Sequence, residues 1–399
     1  MVQDGARRHY ALPKTLERLG MLEVMYSDWF VRPASKEALL ARTMMWLKPS
    51  IGRALAERRC DAIPPSKVVH STALTFRLRR ARRRFESLGD FFAWEADARG
   101  EWIRKHWRGS PDALLGFVRN LSPELCAWAR QRGIATVGDQ IIAPAVIENR
   151  EMTLQQQRWP AWEKKTEVAH DVTEELESRT WPELSHIICM SEYVRDGLRE
   201  LGIDDRRISV IAYPFDASPF VVPNRLGRTG PVTVGFTGTL GLRKGVPYFL
   251  EVAKRFRPDQ VRFVMVGGSQ LEPVAMTELA KHVELVGRQS RAEVRQWLET
   301  FDAFLFPSTC EGSAGSVMEA MAAGLPTITT YNSGSQVRNG IDGFIVKYDD
   351  IDGMCRRIEE LACSADKRRE MGLLARQRIE AFDLDWYGRE LSALLARLV

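Results

Sequence analysis

Long apolar runs, cysteine motifs and histidine clusters are all missing from this sequence of 399 residues. No stretch of about eighteen apolar residues is present, which argues against a membrane-spanning helix. The first ten residues, MVQDGARRHY, lack the apolar core of a secretory signal peptide. The six cysteines are scattered without a CxxC pair, so neither a disulfide framework nor a structural zinc site is expected. These absences favour a protein of the reducing cytoplasm.

Positive charge is concentrated in the first part of the chain. Residues 1–150 carry 26 Lys and Arg against 16 Asp and Glu, residues 151–215 carry 8 against 13, and residues 216–399 carry 23 of each. The basic first part suggests an anionic partner, such as membrane lipid, a phosphorylated acceptor or nucleic acid. The length itself predicts two domains.

The second half alternates short apolar runs with segments of helical spacing. Most of the apolar runs end at glycine or proline, which predicts a parallel, doubly wound sheet. Such a sheet binds ligands at the carboxyl ends of its strands. The predicted strands are Val232–Phe236, Val261–Val266, His282–Val286, Ala303–Phe306 and Thr327–Thr329, and the predicted helices are Tyr248–Phe256, Arg291–Glu299 and Ser316–Ala323.

The first half contains weaker signals of the same kind. The predicted strands there are Ile134–Val137, His186–Met190 and Ile208–Ile211, with a helix over Glu192–Leu201. Proline and glycine recur between residues 216 and 230, which is typical of a linker. We therefore predict an N-terminal domain over residues 1–215, a C-terminal domain over 216–384 and a terminal packing helix over 385–399.

The stretch PSTCEGSAGSVMEAMAAGLP carries the strongest chemical signal. Glu311 is expected to end a strand, a loop of small residues follows, and Glu319 lies one turn into the next helix. Backbone N–H groups at such a helix start attract an anion such as a diphosphate, and small side chains allow close approach. The two carboxylates could accept hydroxyls of a sugar and of a ribose. The alternative is an ordinary helix start with two solvated acidic residues.

A second segment, GTLGLRKG, follows the strand Val232–Phe236. Arg243 and Lys244 would lie at the same edge of the sheet as the glutamate loop. Two cations there suit a diphosphate leaving group, whose developing charge must be neutralised in the transition state. An exposed basic turn without function is the alternative.

Together these segments resemble the donor site of glycosyltransferase family 4, whose members are retaining enzymes with the GT-B fold. The two glutamates of that family, eight positions apart, are matched by Glu311 and Glu319, and its basic turn ending in Lys-Gly is matched by Arg243 and Lys244. The similarity runs from Ser185 to the end of the chain. Where the family has EGFG this chain has EGSAG, and Thr239 stands where an arginine is common.

The resemblance implies an α/β architecture of the GT-B type. Two Rossmann-like domains with parallel, doubly wound sheets would face a central cleft, and the C-terminal helix would cross back to the N-terminal domain. Glu311 would contact the transferred sugar, Glu319 the ribose, and Arg243 with Lys244 the diphosphate. The remaining donor-binding residues would be Gly238, Thr239, Gly312, Ser313, Ala314, Gly315 and Ser316.

The N-terminal half departs from the family pattern. Many members have a histidine after a strand of the first domain, whereas this chain has Asp139 and Gln140 after Ile134–Val137. His9 is the remaining candidate for the acceptor side, with a capping or surface role as its alternative. Only two residues precede the polar segment that begins at Gln3, so the first strand is unusually short or begins upstream. No His, Asp and Glu cluster has metal-ligand spacing, and no metal is expected.

Six arginines fill eight positions in the run RLRRARRR, Arg77–Arg84. On a helix near residues 77–88 the apolar side chains form one narrow strip, and Phe91, Phe92 and Trp94 follow. A basic amphipathic helix of this kind is typical of segments that lie on anionic lipid. A solvated helix that packs its strip on the domain is the alternative. Nucleic acid is not expected, because RNA-binding motifs are missing.

These observations predict a cytoplasmic hexosyltransferase at the inner face of the cytoplasmic membrane. It would move a hexose, with retention, from a UDP-, GDP- or ADP-linked sugar to a glycan or lipid-linked acceptor of the cell envelope, without a prosthetic group. Two alternatives stay open. One is another GT-B activity, such as a nucleotide-sugar epimerase, and the other is a protein that binds the nucleotide sugar without turnover.

Overall fold

The computed structural model describes residues 1–3, 10–33, 35–164, 170–225 and 227–399. The strands of the first sheet are β1 (Val2–Gln3), β2 (Met25–Ser27), β3 (Val68–His70), β4 (Ala113–Phe117), β5 (Ala135–Gln140), β6 (His186–Cys189) and β7 (Ile208–Val210). Those of the second sheet are β8 (Val232–Thr237), β9 (Val261–Val266), β10 (Glu284–Gly287), β11 (Ala303–Phe306), β12 (Thr327–Thr330) and β13 (Gly343–Val346).

Both sheets are parallel and doubly wound, as predicted. The strand order is β3-β2-β1-β4-β5-β6-β7 in the first sheet and β10-β9-β8-β11-β12-β13 in the second. Although β1 has two residues, it lies inside the first sheet, where Val2 pairs with Tyr26 on one side and Gly116 on the other. In each sheet the strand order reverses beside the first strand, which is where such sheets bind ligands.

Helices cover both sheets and connect their strands. In the first part of the chain they are α1 (Ala11–Arg18), α2 (Lys36–Leu47), α3 (Pro49–Ala56), α4 (Thr72–Ala81), α5 (Leu88–Lys105), α6 (Pro123–Arg130), α7 (Ala145–Arg158), α8 (His170–Thr180) and α9 (Glu192–Glu200). In the second part they are α10 (Val246–Ala253), α11 (Pro273–Leu279), α12 (Arg291–Thr300), α13 (Gly315–Ala322), α14 (Ile351–Ala362), α15 (Ala365–Glu380) and α16 (Leu384–Leu395). Among the described residues, no helix is both long and apolar enough to cross a membrane.

The terminal helix α16 packs on the N-terminal domain, as expected. Its Tyr387 and Leu391 are buried in one apolar cluster with Leu12 and Leu16 of α1. Asp383 caps the start of α16 by accepting a hydrogen bond from the backbone of Trp386 at 2.7 Å. Apolar burial therefore holds the last helix of the chain against the first one.

Several boundaries differ from the sequence prediction. The strand predicted over His282–Val286 begins at Glu284, because the His282 N–H closes the preceding turn on the Leu279 carbonyl at 3.1 Å. The helix predicted over Tyr248–Phe256 begins earlier, directly after Gly245, whose φ of 71° suits a glycine. The strand β13 was not predicted.

Two further predictions need correction in the first domain. Asp139 and Gln140 do not follow the strand but belong to β5, where Asp139 pairs with both Phe117 and Ile188. The basic segment is not one helix over residues 77–88. Its α-helix ends at Ala81 and a short 3₁₀ turn follows, since Ser87 caps a new helix by accepting the N–H groups of Gly89 and Asp90.

Candidate active site

A cleft of about 1440 Å³ separates the two domains. Its wall on the second domain is formed by the carboxyl ends of β8 and β9 and by the start of α13. Its wall on the first domain includes Lys14 and Arg18 of α1. Carboxyl ends of parallel strands and a helix start therefore meet in one cavity, an arrangement that favours a phosphate-bearing ligand.

Glycines bring the loops of the second domain close together at this cleft. Gly238 and Gly267 have φ values of 138° and 158°, and a Cβ on Gly267 would lie 1.7 Å from the Gly238 carbonyl oxygen. A Cβ on Gly238 would lie 3.5 Å from the Ser316 hydroxyl. The turn after β8 and the start of α13 are thus neighbours, although 78 positions separate these two residues.

Two hydroxyl groups at the cleft have no hydrogen-bond partner among the described residues. They belong to Thr237, the last residue of β8, and to Ser313 in the loop before α13. Both oxygen atoms are buried, and an unsatisfied buried polar group costs about 1–3 kcal/mol. A polar ligand in the cleft would satisfy them.

Glu319 lines the cleft from the fifth position of α13. Burial raises the pKa of its carboxyl group, while Arg291 and Arg295 of α12 act in the opposite direction. Its side chain is the carboxylate next to the small-residue loop on this wall of the cleft. A ribose placed there would find an acceptor for its hydroxyls.

Glu311, Arg243 and Lys244 form an ion cluster that does not line this cleft. A Glu311 carboxylate oxygen lies 2.8 Å from Arg243 and also contacts the Lys244 ammonium group. Burial lowers the pKa of Lys244, which Glu311 partly offsets. The expectation that Glu311 ends a strand is wrong, because β11 stops at Phe306 and a loop separates the two.

Backbone contacts hold the turn that contains Arg243 and Lys244 against the loop between β11 and Glu311. The Arg243 carbonyl accepts hydrogen bonds from the Thr309 N–H at 3.0 Å and the Ser308 hydroxyl at 2.8 Å. A Cβ on Gly245 would lie 1.8 Å from the Pro307 carbonyl oxygen, so only glycine fits there. These contacts explain why residues distant in sequence converge on one ion cluster.

The first domain reaches the same loops directly. The Ser191 hydroxyl donates to the Gly312 carbonyl at 2.6 Å, and a Cβ on Gly312 would lie 2.0 Å from the Ile141 carbonyl oxygen. Glu163 accepts a hydrogen bond from the Leu242 N–H at 3.0 Å in the basic turn. Both donor-side loops are therefore supported by segments of the first domain.

Some of the site residues predicted from the sequence line the cleft, and others do not. The cleft is lined by Gly238, Thr239, Ser313, Gly315, Ser316 and Glu319. Gly312 and Ala314 are buried, and the Ala314 N–H is already bonded to Ser333.

His9 lies outside the described residues. Gln140 is engaged by Glu177 and Trp181, so its amide has a structural role.

Sequence reasoning did not identify Thr237, Lys14 or Arg18. Thr237 could have been found as the polar residue that ends a buried strand before a glycine. Lys14 and Arg18 belong to the basic excess of residues 1–150, but composition cannot place a charge on the face of a helix that meets the cleft.

Comparison with known proteins shows that the second domain is similar to glycosyltransferases. The family model described as "Glycosyl transferases group 1" matches residues 231–364. Over 191 residues the chain is 30% identical to the UDP-Gal:alpha-D-GlcNAc-diphosphoundecaprenol alpha-1,3-galactosyltransferase of Escherichia coli, and the match covers 42% of this chain and 49% of that protein. The chain spans about half the length of the curated relatives that it matches.

Solved structures match over the whole chain. Anabaena Alr3699/HepE in complex with UDP and glucose has a TM-score of 0.61 at 15% identity, covering 100% of this chain and 98% of that one. Sucrose-phosphate synthase from Thermosynechococcus elongatus has a TM-score of 0.65 at 15% identity, covering 100% and 95%. The predicted GT-B fold is thereby confirmed.

Proposed function

We propose that this GT-B protein is a glycosyltransferase that uses a nucleotide-diphosphate sugar. The observation that carries the proposal is the interdomain cleft, where two unpartnered hydroxyls and Glu319 meet at the carboxyl edge of the sheet. The matched family segment contains every one of these groups. The similarity to a UDP-galactose-dependent enzyme supports the same donor class.

The donor would lie along the loops of the second domain. Glu319 would accept the ribose hydroxyls, and the diphosphate would lie between the turn at Gly238–Thr239 and the start of α13. The sugar would extend towards Glu311. Ser313 and Thr237 would supply hydroxyl donors to the phosphate oxygens, which removes the cost of leaving them unsatisfied.

Arg243 and Lys244 would neutralise the charge that develops on the leaving nucleotide. In the present arrangement both cations bind Glu311. Neither cation lines the cleft in this arrangement, so both would turn towards a bound diphosphate and thereby release the Glu311 carboxylate towards the sugar. In other transferases a metal ion neutralises the diphosphate charge. Here these two cations and the helix start would do so, and we propose that the reaction needs no metal.

The same proposal covers the transferred group, the stereochemistry, the acceptor and the location of the protein. The transferred group would be a hexose, moved with retention as in glycosyltransferase family 4. The acceptor would be a glycan or a lipid-linked sugar of the cell envelope, since the relative named above acts on a diphosphoundecaprenol-linked substrate. The protein would work at the inner face of the cytoplasmic membrane, with Arg77–Arg84 on anionic lipid.

Ligand binding followed by turnover tests the function. UDP-, GDP- and ADP-linked hexoses would be screened by thermal shift, because a ligand at about 100 times its dissociation constant adds about 2.7 kcal/mol to the free energy of unfolding. The donor that stabilises the protein would then be supplied with acceptor. Transfer supports the proposal. Binding without transfer or donor hydrolysis favours a binding protein, and no stabilisation by any donor contradicts the proposal.

A further inference from the structure

A second cavity, of about 560 Å³, lies at the carboxyl end of the edge strand β3 and shares no lining residue with the interdomain cleft. We call it the β3 pocket. It lies between the start of α2, the end of β3 and the start of α4. The carboxyl end of one parallel strand and two helix starts form part of its wall, and helix starts favour anionic groups.

Positive charge dominates the β3 pocket. Arg32, Lys36 and Arg108 line it, and burial lowers the pKa of the neighbouring His70, which disfavours the charged form of that ring. The one carboxylate in the lining belongs to Glu37, which already accepts a hydrogen bond from the Thr72 hydroxyl at 2.7 Å. A negatively charged ligand would therefore meet an excess of cations.

Two side-chain nitrogen atoms of the β3 pocket are left without a partner. The Arg32 Nε and His70 Nδ1 atoms are buried from solvent and make no hydrogen bond to any residue that the structure describes. Arg32 is held in place through another nitrogen, Nη2, which donates to the Val68 carbonyl at 2.7 Å. A buried polar atom without a partner costs free energy, and an anion with several oxygen atoms would accept a hydrogen bond from Arg32 Nε and from His70 in the tautomer that carries a proton on Nδ1.

An exposed apolar stripe begins beside the β3 pocket and runs along α2. Lys36, Leu39, Thr43 and Trp46 are three or four positions apart, so they share one face of the helix. Leu39 is 66% exposed, Trp46 84% and the adjacent Leu47 58%. Cations at one end and exposed tryptophan and leucine at the other match a phosphate head group attached to an apolar chain.

We propose that the β3 pocket binds a phosphate group. The neighbouring apolar stripe favours the phosphate of a membrane lipid over free inorganic phosphate as its source. This inference does not depend on the sugar-transfer proposal, because the two cavities share no residue.

The pocket is tested with the full-length protein and two charge-matched double variants. Lys36→Gln with Arg108→Gln removes two exposed cations of the β3 pocket, and Arg104→Gln with Arg369→Gln removes two exposed arginines outside it. Calorimetry with inorganic phosphate should give at least about 100-fold weaker binding for the pocket variant and parent-like binding for the control, because two charged groups that would bind the phosphate are lost. Equal binding by both variants would overturn the proposal.

The source of the phosphate is tested with vesicles. Trp46→Gln changes an exposed side chain and leaves the cations in place. With a lipid source, this variant binds phosphatidylcholine vesicles that contain phosphatidic acid more weakly than the parent but still binds them, because the arginine run Arg77–Arg84 is unchanged, and it keeps parent-like calorimetry with inorganic phosphate. Unchanged vesicle binding by Trp46→Gln overturns the lipid source. A nucleotide-sugar thermal shift measured on the same variants should be unchanged, which separates this result from a failure of the donor site.

Discussion

Glu311 and Glu319 lie in one short stretch of chain but have different electrostatic surroundings. Glu311 is paired with Arg243 and Lys244, whereas Glu319 is half-buried at the cleft, where desolvation raises the pKa of its carboxyl group. In the proposed complex Glu319 binds the ribose and Glu311 the reacting sugar. Loss of either side chain should therefore change a different kinetic constant.

Replacing Glu319 by alanine should raise the KM for donor with nearly unchanged kcat. The ribose is far from the bond that breaks, so its contact is equal in the ground state and the transition state. We expect an increase of about tenfold, the effect of one lost hydrogen bond to a charged group. Steady-state kinetics measure it, with the exposed Glu390→Ala as the matched control. A large fall in kcat would assign Glu319 to the reacting centre instead.

Replacing Glu311 by alanine should mainly lower kcat, by about 10²-fold, equivalent to about 2.7 kcal/mol. Its hydrogen bonds to the sugar would strengthen as positive charge develops on the ring. Glu311→Gln should retain part of the activity if orientation matters more than charge. Because the substitution leaves Arg243 and Lys244 without their carboxylate, thermal unfolding must confirm that each variant is folded. An unchanged kcat would remove Glu311 from the reaction.

At the scale of elements, two arginines of the run Arg77–Arg84 pack on aromatic rings, and the other four are exposed. Arg77 lies over the Trp94 ring at 5.7 Å and Arg82 over the Phe91 ring at 5.7 Å. Arg79, Arg80, Arg83 and Arg84 are exposed. Arg77 in α4 and Arg82 in the following turn therefore contact aromatic rings of α5, and the other four are the ones we expect to meet a membrane surface.

Changing Arg79, Arg80, Arg83 and Arg84 together to glutamine should release the protein from anionic vesicles. Each basic residue near such a surface contributes about 1 kcal/mol, and salt weakens this attraction. Sedimentation with vesicles of phosphatidylglycerol at low and high salt measures the effect, with phosphatidylcholine vesicles as the control. Parent-like sedimentation of the variant at low salt would exclude the run from membrane binding.

At the scale of the whole molecule, the two domains meet directly at the loop that contains Gly312, between β11 and α13. Gly312 packs against the backbone of Ile141, and its carbonyl accepts a hydrogen bond from Ser191. Glu163 reaches the basic turn from the first domain. The relative position of the domains therefore decides whether the reacting end of the donor site is assembled.

A methyl group at Gly312 should separate the domains at this point. The added Cβ would overlap the Ile141 carbonyl, at 2.0 Å, and neither backbone can give way cheaply. We expect Gly312→Ala to lower transfer by about tenfold or more while the nucleotide, bound by the second domain, keeps its affinity. Calorimetry with the nucleotide diphosphate and transfer assays measure the two effects. Equal loss of binding and transfer would indicate damage to the donor loop itself.

Donor binding should survive removal of divalent metal ions. The proposed diphosphate site has Arg243, Lys244 and the start of α13 in place of a carboxylate pair suited to Mg²⁺. Calorimetry in EDTA and with added Mn²⁺ should give the same affinity. Binding that collapses in EDTA and returns with Mn²⁺ would contradict metal-independent binding.

Much of the second domain could be predicted from local sequence. The strands β8, β9 and β11 are mostly buried and are followed by glycine or proline, so their positions follow from apolar runs and turn residues alone. The spacing of Glu311 and Glu319 and the RKG turn likewise indicated a donor site. In the first domain β1 has two residues, β5 contains the buried polar Asp139, and such strands carry little local signal.

The sequence alone determined which chemical groups are present and, for the second domain, the order of the elements that carry them. Local rules suffice there because hydrophobic burial and backbone geometry act on neighbouring residues. Only the tertiary structure decided that Glu311 is paired with two cations, that Thr237 and Ser313 have no partner in the described residues, and that Lys14 meets the cleft. These facts depend on distances between groups far apart in the chain, which no local pattern encodes.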